Sequence, residues 1–412
     1  MVLVLALGTP AHAFAPGTLP GEDGRPDSAR ETDYPDNPVS DYLDPRAEGL
    51  VPEDVTETLA PSATPAHVTT PAAAPGAPPR KAEWLLVPIP TYNPTLGFIA
   101  VGVGGYIFPL DQVSRPSTLV GVGFYSSNNS WGAMLASKLN LAADRYRVTT
   151  GLFVGQFNYD FYGIGTEAGN NGLFVPLEQK IGAGLVQMVF RLAPHVYLGP
   201  RYVVARIRTG IDTSRVEIPE GVVPPDGERT SWSSAPGLRF QWDTRDSEFY
   251  PRRGQLVDVT LDYHATWAGD GFDYLAARIA CNQYVGFGDR HVLAFREFVR
   301  FVTANAPFYA LPRLGQQSDI RGYKTGRYQD SILLATQVEY RLNILAWLGA
   351  TAFLGVGEVA PDVSSFNFSN LLPAGGLGVR ITVAKQNQVN LRADVAFSRE
   401  GVSFYLAVGE AF

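Results

Sequence analysis

Arg321 sits at the centre of Asp319-Ile320-Arg321-Gly322-Tyr323, in a long, mostly polar, glycine-containing connection between two strand-like runs. On the following run, Gln337-Val338-Glu339-Tyr340-Arg341 places an acid and a base two residues apart, on one face of a strand. The chemistry of such groups is ion pairing and forked hydrogen bonding. Two local readings stand side by side. Arg321 is either an ordinary exposed loop arginine or one held by carboxylates, and Glu339 and Arg341 also pair simply with each other along their shared face. Nucleophilic and metal chemistry have no comparable anchor. His12 and His67 lie near the start of the chain, while His195, His264 and His291 are scattered without ligand spacing. No Ser/His pair is singled out. Gly102-Val103-Gly104-Gly105 lies within a strand and lacks the strand–turn–helix setting of a phosphate loop. Cys281 stands alone and reads as a small apolar wall residue. No catalytic residue, metal or cofactor is expected.

The elements that carry these residues are strands. The chain of 412 residues is 45% hydrophobic, 12% aromatic and only 18% charged, a balance that suits a barrel wall between lipid and lumen and equally a soluble sandwich. Alternation fits both, and the length of the runs favours the membrane barrel. Leu334, Thr336, Val338, Tyr340 and Leu342 alternate with Gln337, Glu339, Arg341 and Asn343. Val389, Leu391, Ala393, Val395 and Phe397 alternate likewise with Asn390, Arg392 and Asp394. The runs are long enough to cross a bilayer at a tilt. Sixteen are predicted: 83–92, 97–107, 116–126, 131–142, 145–157, 179–192, 196–209, 231–243, 255–268, 272–286, 290–304, 333–345, 348–357, 372–384, 388–398 and 402–412. The even number lets the first and last pair, and the connections alternate between short turns such as Ala143-Asp144 and Ala346-Trp347 and long segments such as 158–178, 210–230, 305–332 and 358–371. Short inner turns and long outer loops are the habit of outer-membrane barrels. The predicted fold is all-β, a closed antiparallel transmembrane β-barrel over residues 81–412.

The first 80 residues differ. They hold twelve acids against four arginines, and the remainder is close to neutral, so no basic patch points to nucleic acid. Met1 to Ala13 ends in Ala11-His12-Ala13 after a short apolar run and reads as the remnant of a signal peptide without its positively charged beginning. Residues 14–80, with thirteen prolines and few aromatics, bury too little apolar surface to offset ordering and read as a disordered periplasmic tail.

Against this background, Ile320-Arg321-Gly322-Tyr323 resembles the Val/Ile-Arg-Gly-Phe/Tyr motif at the tip of the sixth external loop in the BamA/TamA superfamily, within its bacterial surface antigen domain. Glu339-Tyr340-Arg341 matches the spacing to the next strand. Asp243-Thr244-Arg245-Asp246 with Tyr250-Pro251-Arg252-Arg253-Gly254 looks like the family's periplasmic turn, in which Asp243, Arg245, Asp246, Pro251 and Gly254 carry the likeness. Asp160-Phe161-Tyr162-Gly163-Ile164-Gly165 is a further similar element. The end of the chain, with Tyr405 and Phe412, looks like the terminal signal read by the barrel-assembly machinery.

There are two departures. Gly355, in Phe353-Leu354-Gly355-Val356-Gly357, stands where the family usually has an acid facing the loop arginine, and the chain resembles the subgroup without POTRA modules. The resemblance implies that the loop folds into the lumen, so that Arg321 needs acceptors there. Glu339 is the first candidate, Asp394 the second, and Arg341 a neighbour in the same lining. It further implies a protein of the Gram-negative outer membrane, surrounded by its lipids, that assists insertion or translocation of client polypeptides or other envelope components through a seam between the first and last strands. A passive or structural barrel plugged by loop 305–332 is the alternative, and a wall-borne hydrolase a lower-ranked one.

Overall fold

The computed structural model describes residues 5–7, 82–93, 95–111, 113–212, 229–316, 319–385 and 387–412. The segments expected to be a signal-peptide remnant (1–13, apart from 5–7) and a tail (14–80) lie outside the described residues.

Sixteen strands follow in chain order. The first eight are β1 Glu83–Asn93, β2 Gly97–Phe108, β3 Ser117–Ser126, β4 Trp131–Leu141, β5 Tyr146–Phe161, β6 Val175–Ala193, β7 Val196–Ile211 and β8 Arg229–Asp243. The rest are β9 Gly254–His264, β10 Tyr274–Phe287, β11 His291–Val302, β12 Ile332–Leu345, β13 Leu348–Ala360, β14 Leu372–Ala384, β15 Val389–Ser398 and β16 Gly401–Val408. A short helix α1, Thr166–Asn171, lies between β5 and β6. Each strand pairs antiparallel with its successor, giving a nearly closed barrel. Among the described residues no ladder register joins β16 to β1. The edge of β16 instead pairs with a three-residue strand, Leu5–Leu7, with Leu5 opposite Leu406 and Leu7 opposite Phe404.

All sixteen predicted runs are strands, and the differences lie at their ends. β5 and β6 reach Phe161 and Val175, well beyond the predicted 157 and 179. The extra residues mix polar and apolar types without a clear alternation, yet they pair across the ladder, Asn158 opposite Glu178 and Phe161 opposite Val175, and Glu178 Oε2 also accepts from Gln156 Nε2 at 2.7 Å. The last strand stops at Val408, not 412, because Gly409 turns the chain at φ +91°.

The outward face carries Trp84, Leu86, Phe98, Leu135, Leu152, Leu238, Leu354 and Leu377, all exposed. That is the surface a bilayer solvates. The inward face is of two kinds. On β1 to β7 it is largely apolar, with Ile89, Ile99, Val101, Val103, Val122, Met134, Phe153, Ile181, Leu185, Val203 and Ile207 all buried. Tyr309, Ala310 and Leu311, from the connection between β11 and β12, and Phe249, from the turn after β8, pack against this face. On β8 to β15 the inward face carries Arg239, Asp258, Arg296, Gln337, Glu339, Arg341, Arg380, Arg392 and Asp394, again buried. The first half of the barrel is therefore apolar over much of both faces, with Lys138, Arg147 and Arg201 among the buried exceptions, which blurs its alternation in sequence.

Candidate functional site

The connection 303–331 turns into the lumen. Its stem closes on itself through a bridge between Arg313 and Gln329 and the Leu314 N–H bond to Tyr328 O at 2.9 Å. Leu314, Ile320, Tyr323 and Tyr328 bury themselves among Phe298, Leu333, Ala335, Val359, Leu372 and Ala374. Each such side chain contributes about 1.5–3 kcal/mol on leaving water, which is what draws a polar loop inward. The segment after β5 covers the stem from above. Gly165 N–H donates to Gln329 O at 2.8 Å, and Gln329 Nε2 to Gly163 O at 3.3 Å. Arg327 Nε donates to Gly169 O at 3.0 Å. The element Asp160 to Gly165 thus meets the loop that carries Arg321.

At the tip, Arg321 is fully buried and spans two strands. Its Nη1 donates to Asp394 Oδ2 on β15 at 2.7 Å, and its Nη2 to Glu339 Oε2 on β12 at 2.7 Å and to Gln337 Oε1 at 3.4 Å. The guanidinium carbon lies 3.5 Å from the centre of the Phe353 ring. Neither carboxylate serves Arg321 alone. Glu339 Oε1 accepts from Arg341 Nε at 2.7 Å, and Asp394 Oδ1 from Arg380 Nη1 at 2.6 Å. Arg380 Nε reaches Glu410 Oε2 at 2.7 Å, and Arg341 Nη2 reaches Phe412 O at 2.9 Å. Arginines and acids alternate here, each acid bridging two cations, which offsets the cost of removing them all from water.

Gly355 lies opposite Gln337 in the ladder. A Cβ there would stand 2.8 Å from Gln337 Cγ and 2.9 Å from Thr336 O. The room that an acidic side chain would need is filled by Gln337, whose amide donates to Asp319 O at 2.5 Å and whose oxygen accepts from Arg321. The arginine turns to the neighbouring strands.

Gly322 and Tyr323 fasten the tip to the last hairpin. Gly322 N–H donates to Tyr405 Oη at 2.5 Å, and its carbonyl accepts from Ser398 Oγ at 2.7 Å and Ser403 Oγ at 3.3 Å. Gly322 has φ +117°, and a Cβ there would lie 3.0 Å from Ser398 Cβ. Gly322→Ala is expected to cost about 1–3 kcal/mol and to raise protease cleavage within 303–331, read by limited proteolysis of the folded barrel. Burial pushes the Tyr323 hydroxyl up to about 12, so it remains a donor to Pro373 O at 2.8 Å. In the turn between β15 and β16, Glu400 accepts from Lys324 N–H at 2.9 Å, and burial raises its carboxyl above the usual range.

The other motif residues close the short-turn end. Asp243 is fully buried and accepts from Arg245 Nε at 3.0 Å and from Arg115 Nη1 at 3.4 Å. Asp246 Oδ1 caps the turn, accepting from Arg252 N–H at 2.9 Å and Arg253 N–H at 3.2 Å. Gly254 has φ +99°, and a Cβ would come within 2.3 Å of Thr244 O. Pro251 and Phe412 line a common small space, and the Phe412 ring packs in the lumen with Tyr284 and Ala294. Tyr405 and Phe412 therefore both face inward.

One constellation has no signal in the sequence. Ser233 Oγ lies 2.9 Å from His264 Nδ1 and donates to Asp270 Oδ2 at 2.7 Å, and Nδ1 is 2.9 Å from that same oxygen. Residues this far apart meet only because β8 and β9 are neighbours. A nucleophilic relay places the serine and the acid on opposite ring nitrogens. Here both share one, so the trio clasps the loop 265–273 to the wall.

A sixteen-stranded barrel with an apolar exterior and an inward-folded loop is an outer-membrane β-barrel. Residues 119–412 match the Omp85 superfamily domain, and the chain belongs to that superfamily. In fold it is similar to BamA from Haemophilus ducreyi lacking POTRA domains 1–3, with TM-score 0.53 and 9% identity over 80% of this chain and 75% of that one. CdiB from Acinetobacter baumannii (TM-score 0.52, 13% identity) and CdiB from Escherichia coli (TM-score 0.53, 12% identity) are similar too. Those alignments cover 80% and 81% of this chain but only 60% and 64% of theirs. No curated protein matches the sequence. The family expected from the Arg-Gly-Tyr motif is thus the family found.

Proposed function

We propose that this barrel assists the insertion or translocation of polypeptides or other envelope components at the outer membrane, through a seam beside its last hairpin. The observation that carries this reading is the position of the latch. The loop tip grips Asp394 and Ser398 on β15 and Ser403 and Tyr405 on β16. Beyond β16 no ladder joins the described residues of β1, where Pro88 and Pro90 supply no backbone donor. β16 is also short, at 8 residues. An edge held from inside the lumen and paired on its outer side only with the three residues Leu5–Leu7 is suited to template an incoming strand by backbone hydrogen bonds. The antiparallel pairing of Leu5–Leu7 with that edge supports this reading. In this reading the short-turn end and the tail 14–80 are periplasmic, the barrel-assembly machinery acts during biogenesis, and client polypeptides meet the seam. Depletion of the protein followed by profiling of outer-membrane proteins and lipids tests it. A specific set of missing components supports the proposal, and an unchanged membrane contradicts it.

The packed lumen favours a second reading, a plugged barrel. Replacing residues 306–329 by a short Gly-Ser bridge is expected to raise single-channel conductance in planar bilayers from near zero to that of an open pore. If the loop is only a plug, the same variant leaves envelope composition unchanged.

A further inference from the structure

At the short-turn end a cavity of about 690 Å³ opens between the turn after β8 and the turns β10–β11, β12–β13 and β14–β15. Its floor is polar: Asn343, Thr382, Asn390 and the buried Arg380. Around its mouth stand Arg252, Arg290 and Lys385, with Asp289 the one acid among the lining residues. Arg252 is anchored by Nη2 to Gly288 O at 3.0 Å, while its buried Nε has no hydrogen-bond partner among the described residues. Arg290 and Lys385 are exposed. The β12–β13 turn is only Ala346-Trp347, so the rim is low there. Along that rim Ile344, Leu345 and Trp347, which also line the cavity, are exposed, at 43%, 52% and 50%. A tryptophan beside aliphatic side chains at a strand end marks the boundary between acyl chains and headgroups.

We infer that this mouth binds the phosphate headgroup of an anionic phospholipid from the adjoining leaflet, its acyl chains lying along Ile344, Leu345 and Trp347. A phosphate diester supplies the charge that three cations against one acid lack, and its oxygens accept from several donors at once. Clustered Lys and Arg at a membrane surface attract anionic lipid by a sizeable factor per residue. The low rim lets a headgroup reach over the turn without leaving its leaflet. A free phosphate ion would satisfy the same donors but would make no use of the apolar strip. The inference depends on the barrel lying in a bilayer and not on the insertion reading.

The test is native mass spectrometry of the full chain, released from micelles doped equally with dioleoyl phosphatidylglycerol and dioleoyl phosphatidylcholine. Phosphatidylglycerol is expected to remain bound in preference. The variant Arg290→Gln/Lys385→Gln should weaken that retention roughly 20- to 30-fold. The variant Arg145→Gln/Arg191→Gln makes the same charge change elsewhere on the inner rim and should retain the lipid fully. Equal retention of both lipids, or of phosphatidylglycerol by wild type and the first variant, overturns the inference. So does displacement of the lipid by millimolar inorganic phosphate, which would make the mouth a site for the free ion.

Discussion

Replacing Arg321 with alanine is expected to remove about 3–5 kcal/mol of barrel stability and to expose 303–331 to protease. The loss comes from what is left behind. Glu339 and Asp394 keep Arg341 and Arg380 at 2.7 and 2.6 Å, so the barrel still folds, but each carboxylate loses a charged donor in a site closed to water. The stacking of the guanidinium on Phe353 is lost as well. Arg321→Lys keeps the charge but not the fork that reaches two carboxylates on different strands, and an intermediate loss follows. Urea unfolding in detergent and limited proteolysis read both effects. Wild-type behaviour in both assays would mean that the arginine holds nothing.

The second large effect is expected at Glu339. It accepts from Arg321 and Arg341 and lies 3.7 Å from a third guanidinium, that of Arg380. Glu339→Ala leaves Arg321, Arg341, Arg380 and Arg392 sharing Asp394 and Glu410 in a low-dielectric space. The loss should reach the upper end of about 3–5 kcal/mol or exceed it, since the remaining cations also repel one another. Glu339→Gln retains an oxygen acceptor and the shape, and should lose less. If alanine and glutamine cost the same and less than about 1 kcal/mol, charge pairing at this position contributes nothing to the fold.

Much of the architecture was legible because period-two patterning is a local property. β12 and β15 declare their inward faces through Glu339, Arg341, Arg392 and Asp394, and the short turn Ala346-Trp347 fixes which end is which. The apolar interior of β1 to β7 was not legible. Val101 and Val103 face inward while Phe98 and Ala100 face outward, and hydrophobicity alone does not tell lumen from lipid. The ends of β5 and β6 differ from the predicted bounds for another reason, because Asn158 and Glu178 look like loop until their pairing across the ladder is known.

At the site, sequence supplied the arginine and two candidate acids as alternatives. That one guanidinium spans both acids depends on β12, β13, β14 and β15 lying side by side, a tertiary fact. The reason Gly355 carries no acid, the stem of Gln337, is likewise visible only across the ladder. Ser398, Ser403 and Tyr405, which bind the Gly322 peptide, have no spacing that announces them. Their role arises from where the tip comes to rest.

The claim on which the account turns is that Arg321 ties the inward loop to the hairpin next to the seam. A double-mutant cycle between Arg321→Ala and Asp394→Ala, read as unfolding free energy in detergent, measures that tie directly. A direct buried pair predicts a coupling of at least about 1.5 kcal/mol. Strictly additive losses would contradict the latch.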